Sequence, residues 1–318
     1  MNNILVLGGS GFLGRVVCEK LVERTGGADG RIVVPTRHLN RTGDILALPT
    51  AETELWDVHD DAQLQRMVRL RDVVINLIGI LHGSEADFQR VHVELPRRLA
   101  RACAVAGVKR VVHVSAIGAS DRAPSMYLRS KAAGEAAWRH PTLDVTVLRP
   151  SVMFGERDRF MNRFAGLQAM FPLMPLACAE AQFQPVWVDD VATAIARAID
   201  TPSAARETIE CVGPAVYTLK ELVHLAGRWS GHERPVVGLP NVLGRLQAIS
   251  LELLPGEPLM SRDNLASMQV PSVASGTLPG LERLGITPHS LESVMPALLG
   301  HRAGPERLAP LRALARRR

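Results

Sequence analysis

A tyrosine and a lysine lie four residues apart in the segment Tyr127-Leu128-Arg129-Ser130-Lys131. On a helix, residues at this spacing share one face, so the Lys131 ammonium can lie near the Tyr127 phenol. A nearby cation favours the phenolate and lowers the phenol pKa from about 10 towards working pH, as proton transfer to a carbonyl or from an alcohol requires. The spacing therefore predicts an acid–base pair, with Ser115 as a third catalytic candidate. The alternative is a surface tyrosine beside a solvated lysine.

A glycine-rich turn lies near the start of the chain, between the apolar run Ile4-Leu5-Val6-Leu7 and an amphipathic segment. Its glycines, Gly8, Gly11 and Gly14, have a G-x-x-G-x-x-G spacing that suits a tight turn, backbone approach to a pyrophosphate and close packing of helix on strand. Amides at the helix N-terminus would face the anion. The turn therefore predicts a dinucleotide site formed by Gly8, Ser10, Gly11, Phe12, Leu13, Gly14 and Arg15.

The end of the expected second strand distinguishes between two dinucleotides. An acidic residue there suits the ribose 2′-hydroxyl of NAD(H), whereas a basic one suits the 2′-phosphate of NADP(H). This chain has Arg37 and His38, and a planar guanidinium fits a phosphate well. We therefore expect NADP(H) rather than NAD(H), although Arg37 as a solvated loop residue is the alternative. Further candidate contacts follow the third, fourth and sixth strands, at Asp57, Val58, Leu77, Ile78, Gly79, Pro150 and Val152.

Strand and helix patterns alternate through the first half of the chain, which predicts an α/β fold with a doubly wound parallel Rossmann sheet. We expect strands at Ile4–Leu7, Arg31–Thr36, Glu54–Trp56, Val73–Leu77, Arg110–Ser115 and Val145–Leu148, with helices at Leu13–Arg24, Asp60–Val68, Phe88–Ala106 and Tyr127–Arg139. After Pro150 the alternation stops, which indicates a smaller C-terminal lobe. The expected divisions are a dinucleotide-binding domain (1–154, rejoined by 188–212), a substrate or partner lobe (155–300) and a basic tail (301–318).

One segment of the lobe, Leu239 to Met260, has apolar residues at helical spacing, interrupted by Pro255 and Pro258. Two interpretations fit this pattern. The segment is either a helix buried over the ligand pocket or an apolar face for a partner protein or a membrane surface.

Charge and cysteine usage narrow the class of protein. The formal net charge is +5, but much of the excess lies in 301–318, so the remainder is near neutral, which excludes nucleic-acid binding. The tail is either a solvated terminus or a contact for anionic lipid or an acidic protein. The cysteines lack metal-ligand spacing, so no metal site is expected, and they are typical of reduced core residues.

The first strand begins at Ile4, which leaves no room for a targeting segment before it. No apolar stretch reaches the roughly eighteen residues that a membrane span needs. We therefore expect a cytoplasmic protein, or one held peripherally at the inner face of a membrane.

Four motifs together resemble the extended short-chain dehydrogenase/reductase superfamily: the glycine turn, Tyr127-x-x-x-Lys131, Leu148-Arg149-Pro150-Ser151, and Val186-Trp187-Val188-Asp189-Asp190-Val191. Within it, Val34–Arg37, Val74–Gly79, Tyr127–Ala132, Phe154–Phe160 and Leu278–Glu282 resemble an atypical branch, the alpha-subcomplex subunit nine of respiratory complex I (NADH:ubiquinone oxidoreductase) and its bacterial relatives. The resemblance implies a tightly held NADPH and, in the mitochondrial member, a structural role beside the quinone region.

The chain departs from active members of the superfamily at two positions. Their fifth strand usually ends Ser-Ser, whereas this one reads Ser115-Ala116, and because strand side chains alternate faces, we expect Ser115 to point away from the reacting carbon. His92 replaces the usual asparagine of the tetrad. Ser151 or Ser84 could substitute as an oxyanion donor.

Two functions remain open at this stage. The first is a nucleotide-binding module that holds its cofactor for structure, assembly or quinone-linked respiration and docks on complex I or a membrane through the small lobe and basic tail. In that case Tyr127 and Lys131 are retained for binding, since in the superfamily the lysine also reaches the nicotinamide ribose. The second is an active NADP(H)-dependent oxidoreductase or epimerase acting on a carbonyl, quinone or nucleotide sugar.

Overall fold

The computed structural model describes residues 1–253 and 260–300, apart from the side chain of Arg41. The strands are β1 (Asn3–Leu7), β2 (Arg31–Thr36), β3 (Ala51–Leu55), β4 (Val73–Asn76), β5 (Arg110–Val114), β6 (Asp144–Pro150), β7 (Met153–Phe154), β8 (Met174–Leu176), β9 (Gln182–Phe183), β10 (Val186–Trp187), β11 (Thr208–Cys211), β12 (Tyr217–Thr218) and β13 (Val236–Gly238).

The helices are α1 (Phe12–Arg24), α2 (Gly43–Leu46), α3 (Asp61–Val68), α4 (Glu85–Phe88), α5 (Leu95–Ala106), α6 (Met126–Ala137), α7 (Met161–Met170), α8 (Val188–Asp200), α9 (Leu219–Ser230), α10 (Asn241–Glu252), α11 (Arg262–Ser267) and α12 (Leu291–Leu299). Short 3-10 turns occur at Leu39–Arg41, Pro202–Ala204 and Leu281–Leu284. A π-helical turn, Gln89–Glu94, lies between α4 and α5.

The central sheet has seven parallel strands in the order β11-β6-β5-β4-β1-β2-β3. Alternate residues of each strand enter opposite cores, because strand side chains have a period of two. Ile4 and Val6 pack with α1 and α8, whereas Leu5 and Leu7 pack with α3 and α5. The predicted doubly wound Rossmann sheet is thus confirmed. Its order reverses between β1 and β4, which opens a crevice at the carboxyl ends of these strands.

Local differences from the expected elements have physical causes. β3 begins at Ala51 rather than Glu54, because its pairing with β2 starts at Ile32 opposite Ala51. The helix expected over Phe88–Ala106 instead begins at Glu85, where Ser84 and Asp87 form a capping box. It then widens into the π-helical turn before α5.

The smaller C-terminal lobe packs α7, α9 and α12 around their own apolar cluster. The structure also contains three short two-stranded sheets outside the central sheet: β7–β10, β9–β12 and β8–β13. The basic tail 301–318 and residues 254–259 of the apolar segment, including Pro255 and Pro258, lie outside the described residues. In the described part of the chain, no helix is both long and apolar enough to span a membrane.

The lobe helix α10 leaves its apolar side open. Gly244 and Ala248 are buried, but four larger apolar side chains of the helix and that of Leu253, the residue after it, are between 41% and 81% exposed. These side chains form what we call the α10 face: Val242, Leu243, Leu246, Ile249 and Leu253. The interpretation of this segment as a helix buried over the pocket is therefore wrong.

Candidate functional site

The glycine turn between β1 and α1 leaves little room for side chains, as Gly8 and Gly14 show. Gly8 adopts φ +84°, and a Cβ there would lie 3.2 Å from the carbonyl carbon of Leu77. A Cβ on Gly14 would lie 2.2 Å from the Gly8 oxygen, so α1 packs directly on the turn. A side chain on Gly8 would thus press against the segment after β4.

The first turn of α1 can accept an anion. Its N-cap residue Gly11 makes no side-chain capping bond, and the first turn contains no acidic residue. Leu13 is buried in the core, and Phe12 lies against Gly155 of the lobe. The free amide end and the close-packed glycines fit the pyrophosphate of a dinucleotide.

Arg15 lies beside this turn but is engaged by protein groups. Its Nε donates to the Ser10 carbonyl at 3.3 Å, and its Nη1 lies 3.0 Å from an Asp44 carboxylate oxygen. Arg157 of the lobe donates to the same carboxylate at 2.6 Å and holds the pKa of Asp44 below its usual value. The three residues link the mouth of the turn to the lobe.

The carboxyl ends of β2 and β3 form a positively charged corner. Arg37 and His38 are exposed after β2, and Thr36 Oγ1 accepts from the His38 amide at 3.1 Å. Burial lowers the pKa of His59; of the nearby charges, Asp57 raises it, while Arg90, Arg98 and Arg37 lower it further. An exposed guanidinium at this corner can bind an anion.

The candidates after β3 and β4 differ in their surroundings. Asp57 is exposed and accepts from the His59 amide at 2.9 Å. The side chains of Val58 and Ile78 pack on the α3–α5 core, whereas Leu77 packs on the opposite one. A Cβ at Gly79 would lie 3.5 Å from His92 Nε2 and 3.8 Å from Lys131 Nζ, so this loop reaches the Tyr127–Lys131 pair.

Tyr127 and Lys131 lie on α6 as the spacing predicts, but their protonation differs from the expectation. Burial raises the pKa of Tyr127 to about 12. Burial also lowers the pKa of Lys131 to about 8, against the opposing effect of Glu135, and Lys131 Nζ donates to the Val114 carbonyl at 2.8 Å. The expected lowering of the phenol pKa by the lysine is therefore not found.

His92 connects α6 to the loop that follows β4. Its Nε2 accepts from the Ile80 amide at 3.0 Å, and its Nδ1 lies 2.8 Å from Ser130 Oγ, which itself donates to the Tyr127 carbonyl. These bonds require a neutral ring with the proton on Nδ1. Burial and the Lys131 charge lower the pKa of His92 to about 3, so the ring stays neutral. Its edge-on contact with the Tyr127 ring, with centroids 5.7 Å apart, completes the group.

Of the two residues that follow β5, Ser115 and Ala116, the second has no hydroxyl to offer a ligand at Tyr127. Ala116 packs in the small cluster that includes Leu128 and Tyr127. Ser115 Oγ is buried, and it has no hydrogen-bond partner in the described part of the chain. The cluster on which Tyr127 packs therefore contains the methyl group of Ala116, and not a hydroxyl, at the position after Ser115.

The two substitute serines are already engaged. Ser84 Oγ bonds to the Asp87 carboxylate at 2.7 Å, and Ser151 Oγ donates to the Ser272 carbonyl at 2.7 Å. The backbone carbonyls of the two candidates beside Ser151 also have partners. The Pro150 carbonyl accepts from the Ile117 amide, and the Val152 carbonyl accepts from the Val186 amide.

A cleft of about 640 Å³ opens beside the group formed by His92 and Tyr127. Its lining includes Phe88 and Met126 on one side and Arg262, Asp263 and Ala266 of the lobe on the other. Phe88 contacts the Tyr127 ring edge-on, with centroids 6.2 Å apart. The cleft is the natural place for a second ligand next to Tyr127.

Asp263 is a residue of this site that the sequence analysis missed. Its carboxylate accepts from the backbone amides of Met126 and Tyr127, at 2.6 and 3.0 Å. The only local signal is its position inside the Ser261–Asn264 capping box, which indicates the start of α11 but not a contact with α6.

Comparison with known proteins places the chain in a family. Residues 4–212 match the NAD dependent epimerase/dehydratase family, over more than half of the chain. The chain belongs to this family. Membership supports a nicotinamide dinucleotide as its cofactor and confirms the resemblance to short-chain dehydrogenases/reductases.

Within the epimerase/dehydratase family, two relatives cover most of the chain. "NADH dehydrogenase [ubiquinone] 1 alpha subcomplex subunit 9, mitochondrial" of Rattus norvegicus is 36% identical over 301 residues, which are 90% of this chain and 77% of that protein. "NADH-ubiquinone oxidoreductase 40 kDa subunit, mitochondrial" of Neurospora crassa is 30% identical over 89% of this chain and 75% of that protein. The resemblance to subunit nine is thus confirmed.

A solved relative has the same fold. DesIV, the dTDP-glucose 4,6-dehydratase of Streptomyces venezuelae with NAD and TYD bound, superposes with a TM-score of 0.72 at 21% identity, over 97% of this chain and 99% of that one.

The expectation of a cytoplasmic location is contradicted, because the rat and Neurospora relatives are mitochondrial proteins.

Proposed function

We propose that this chain holds NADP(H) as a tightly bound structural ligand and serves as an accessory subunit of a respiratory NADH:quinone oxidoreductase. The observation that carries the proposal is the methyl group of Ala116 in the cluster on which Tyr127 packs, where a catalytic site needs an oxyanion donor. Loss of one such donor commonly lowers turnover about a hundredfold or more. Tyr127, with a pKa near 12, is also a weak acid at neutral pH.

In this proposal each part of the crevice binds one part of the nucleotide. The turn residues Gly8 to Arg15 hold the pyrophosphate, Arg37 and His38 the 2′-phosphate, and Asp57 and Val58 the adenine. The nicotinamide end lies against Leu77, Ile78, Gly79, Pro150 and Val152, with Tyr127 and Lys131 at the ribose and Ser115 as a weak orienting group. NADPH, when bound, supplies a hydride, but these residues serve mainly to hold it.

The lobe supplies the contact with the larger complex. Residues 1–154 with 188–212 form the nucleotide-binding part, and 155–300 form the partner lobe. The α10 face is the proposed docking surface, because four exposed apolar side chains on one helix and a fifth on the next residue are unusual for a surface that contacts only water. The names of the two subunit relatives support a respiratory complex as the class of partner.

A second candidate function is supported by the cleft at Phe88 and Met126. A cavity of about 640 Å³ beside Tyr127 has room for a carbonyl, quinone or sugar substrate. In this alternative, Tyr127 acts as the acid. The pKa of Lys131 is near 8, so a fraction of its amines is neutral at working pH.

One experiment separates the two functions. The protein is purified without added nucleotide, and the released ligand is identified by mass spectrometry. Tyr127→Phe is then compared with Tyr217→Phe, a change at the other tyrosine, which bonds to Glu292 in the lobe. We expect NADP(H) in the wild type and both variants, with NADPH Kd values within threefold and no deuteride transfer from 4-deuterated NADPH to a carbonyl, quinone and nucleotide-sugar panel. Transfer that is lost only in Tyr127→Phe would overturn the proposal in favour of the enzyme.

A further inference from the structure

A carboxylate from the lobe completes the N-terminus of the helix that bears Tyr127. Asp263 of α11 accepts from the first two amides of α6, and the N-cap residue Ser125 accepts from the third, Leu128, at 3.2 Å. A negative charge at this end of a helix is stabilised by the helix dipole as well as by the two bonds. The amide end of α6 is thus closed partly by a residue distant in sequence.

The same lobe segment contacts α6 at a second point. Val270, which follows α11, packs on the Ala116–Leu128 cluster around Tyr127. A Cβ on Gly118 would lie 3.3 Å from a Val270 methyl group, which shows how closely this segment approaches the loop after β5. Contacts from one segment therefore flank Tyr127 on two sides.

A second carboxylate connects α11 to the docking surface. Glu252, in the last turn of α10, accepts from the amide of Arg262 at 2.7 Å and from its Nε at 2.9 Å. Contacts therefore run without a break from Tyr127 through Asp263, Arg262 and Glu252 to the helix that carries the α10 face.

We propose that Asp263 is a positioning residue that couples occupancy of the nicotinamide end of the nucleotide site to the ordering of the α10 face. The inference rests on the proposed function, because it assumes that a nucleotide lies against Tyr127 and Lys131. A ligand that fixes α6 favours the capped arrangement, which in turn holds α11 and α10. Such coupling is reciprocal, so a partner bound to the α10 face tightens nucleotide binding by the same factor.

Hydrogen–deuterium exchange of the full chain tests the coupling, after bound nucleotide has been removed and then with and without added NADPH. In the wild type, we expect saturating NADPH to slow exchange at least threefold in peptides covering 241–252 and 262–268. In Asp263→Asn, this effect should disappear from both peptides, and the NADPH Kd should rise about three- to tenfold. The control is Asp121→Asn, which removes an exposed carboxylate whose oxygen lies near Ser120 Oγ; it should behave as the wild type.

Glu252→Gln tests the contact between α11 and α10 separately from the contact between α6 and α11. It also provides a second variant in case Asp263→Asn misfolds. It leaves the cap on α6 intact, so NADPH should still slow exchange in 262–268 but no longer in 241–252. Full protection of both peptides in Asp263→Asn would overturn the coupling while leaving the proposed function intact. A wild type that binds no NADP(H) would instead overturn the proposed function, and the coupling with it.

Discussion

His92 shows how one residue can change the use of a site. With Nε2 occupied by the Ile80 amide and Nδ1 by Ser130, the ring has no donor left for a ligand. Its place between the loop after β4 and α6 instead fixes the positions of Tyr127 and Lys131. His92 is therefore a structural link between this loop and α6.

The unfolding free energy should report the buried neutral state of His92. Its pKa falls from 6.5 to about 3 on folding, so the unfolded chain binds more protons between these values and stability is lost as pH falls below 6.5. The His92 contribution to this loss should be about 2 kcal/mol between pH 7 and pH 5. His92→Gln should lack that part of the pH dependence, whereas His232→Gln, at an exposed position, should retain it. Urea unfolding at both pH values measures the difference, and equal pH dependence in all three proteins would contradict the assignment.

Arg37 should decide between the two dinucleotides. Because its guanidinium lies exposed at the end of β2, Arg37→Ala should weaken NADPH binding about tenfold or more and change NADH binding little. Arg69→Ala, at another exposed position, provides the control. Fluorescence titration with both nucleotides measures the Kd values, and equal losses for NADPH and NADH would show that Arg37 does not contact a 2′-phosphate.

At the scale of elements, the packing of α1 on the glycine turn depends on the missing Cβ of Gly14. Gly14→Ala places a methyl group where only 2.2 Å separates it from the Gly8 oxygen, so helix and turn must move apart. We expect a loss of about 2 kcal/mol or more in unfolding free energy and loss of nucleotide binding. Gly166→Ala is the matched control: this glycine also lies in a helix, and a Cβ there meets no atom within 4 Å. That change should raise stability by up to about 1 kcal/mol. Unfolding curves that show equal stability for both variants would contradict the close-packing account.

The sequence predicts those elements whose pattern is local. Ile4–Leu7 and the glycine spacing define β1 and the start of α1, because strand period and turn geometry depend on neighbours in the chain. Two features escape such reasoning. The α10 face has the spacing of a buried helix, and only the tertiary structure shows it exposed. The Asp263–Tyr127 contact joins residues more than a hundred positions apart, and no local pattern indicates it.

At the scale of the whole molecule, the α10 face should matter for assembly and not for folding. The side chains of Leu243 and Leu246 are 50% and 57% exposed, so a Leu243→Asp, Leu246→Asp double variant should keep the melting temperature within about 2 °C. Its recovery with the respiratory complex on affinity purification should fall at least fivefold. Val105→Asp, at an apolar residue of α5 that is 82% exposed, is the control and should co-purify normally. Normal recovery of the double variant would show that the partner binds elsewhere.

The return of the chain to its own sheet has a further consequence, for biosynthesis. β11 pairs with β6 only after the chain has passed through α7 and the first strands of the lobe, and α8 packs on α1, where Arg24 and Asp200 form a bidentate ion pair. On the ribosome, the sheet therefore cannot close its edge until Cys211 has left the exit tunnel. A nascent chain released before that point exposes the side of β6 as an unpaired strand edge, which favours aggregation. Chaperone capture of this protein should thus be greatest during synthesis of the segment between β6 and β11.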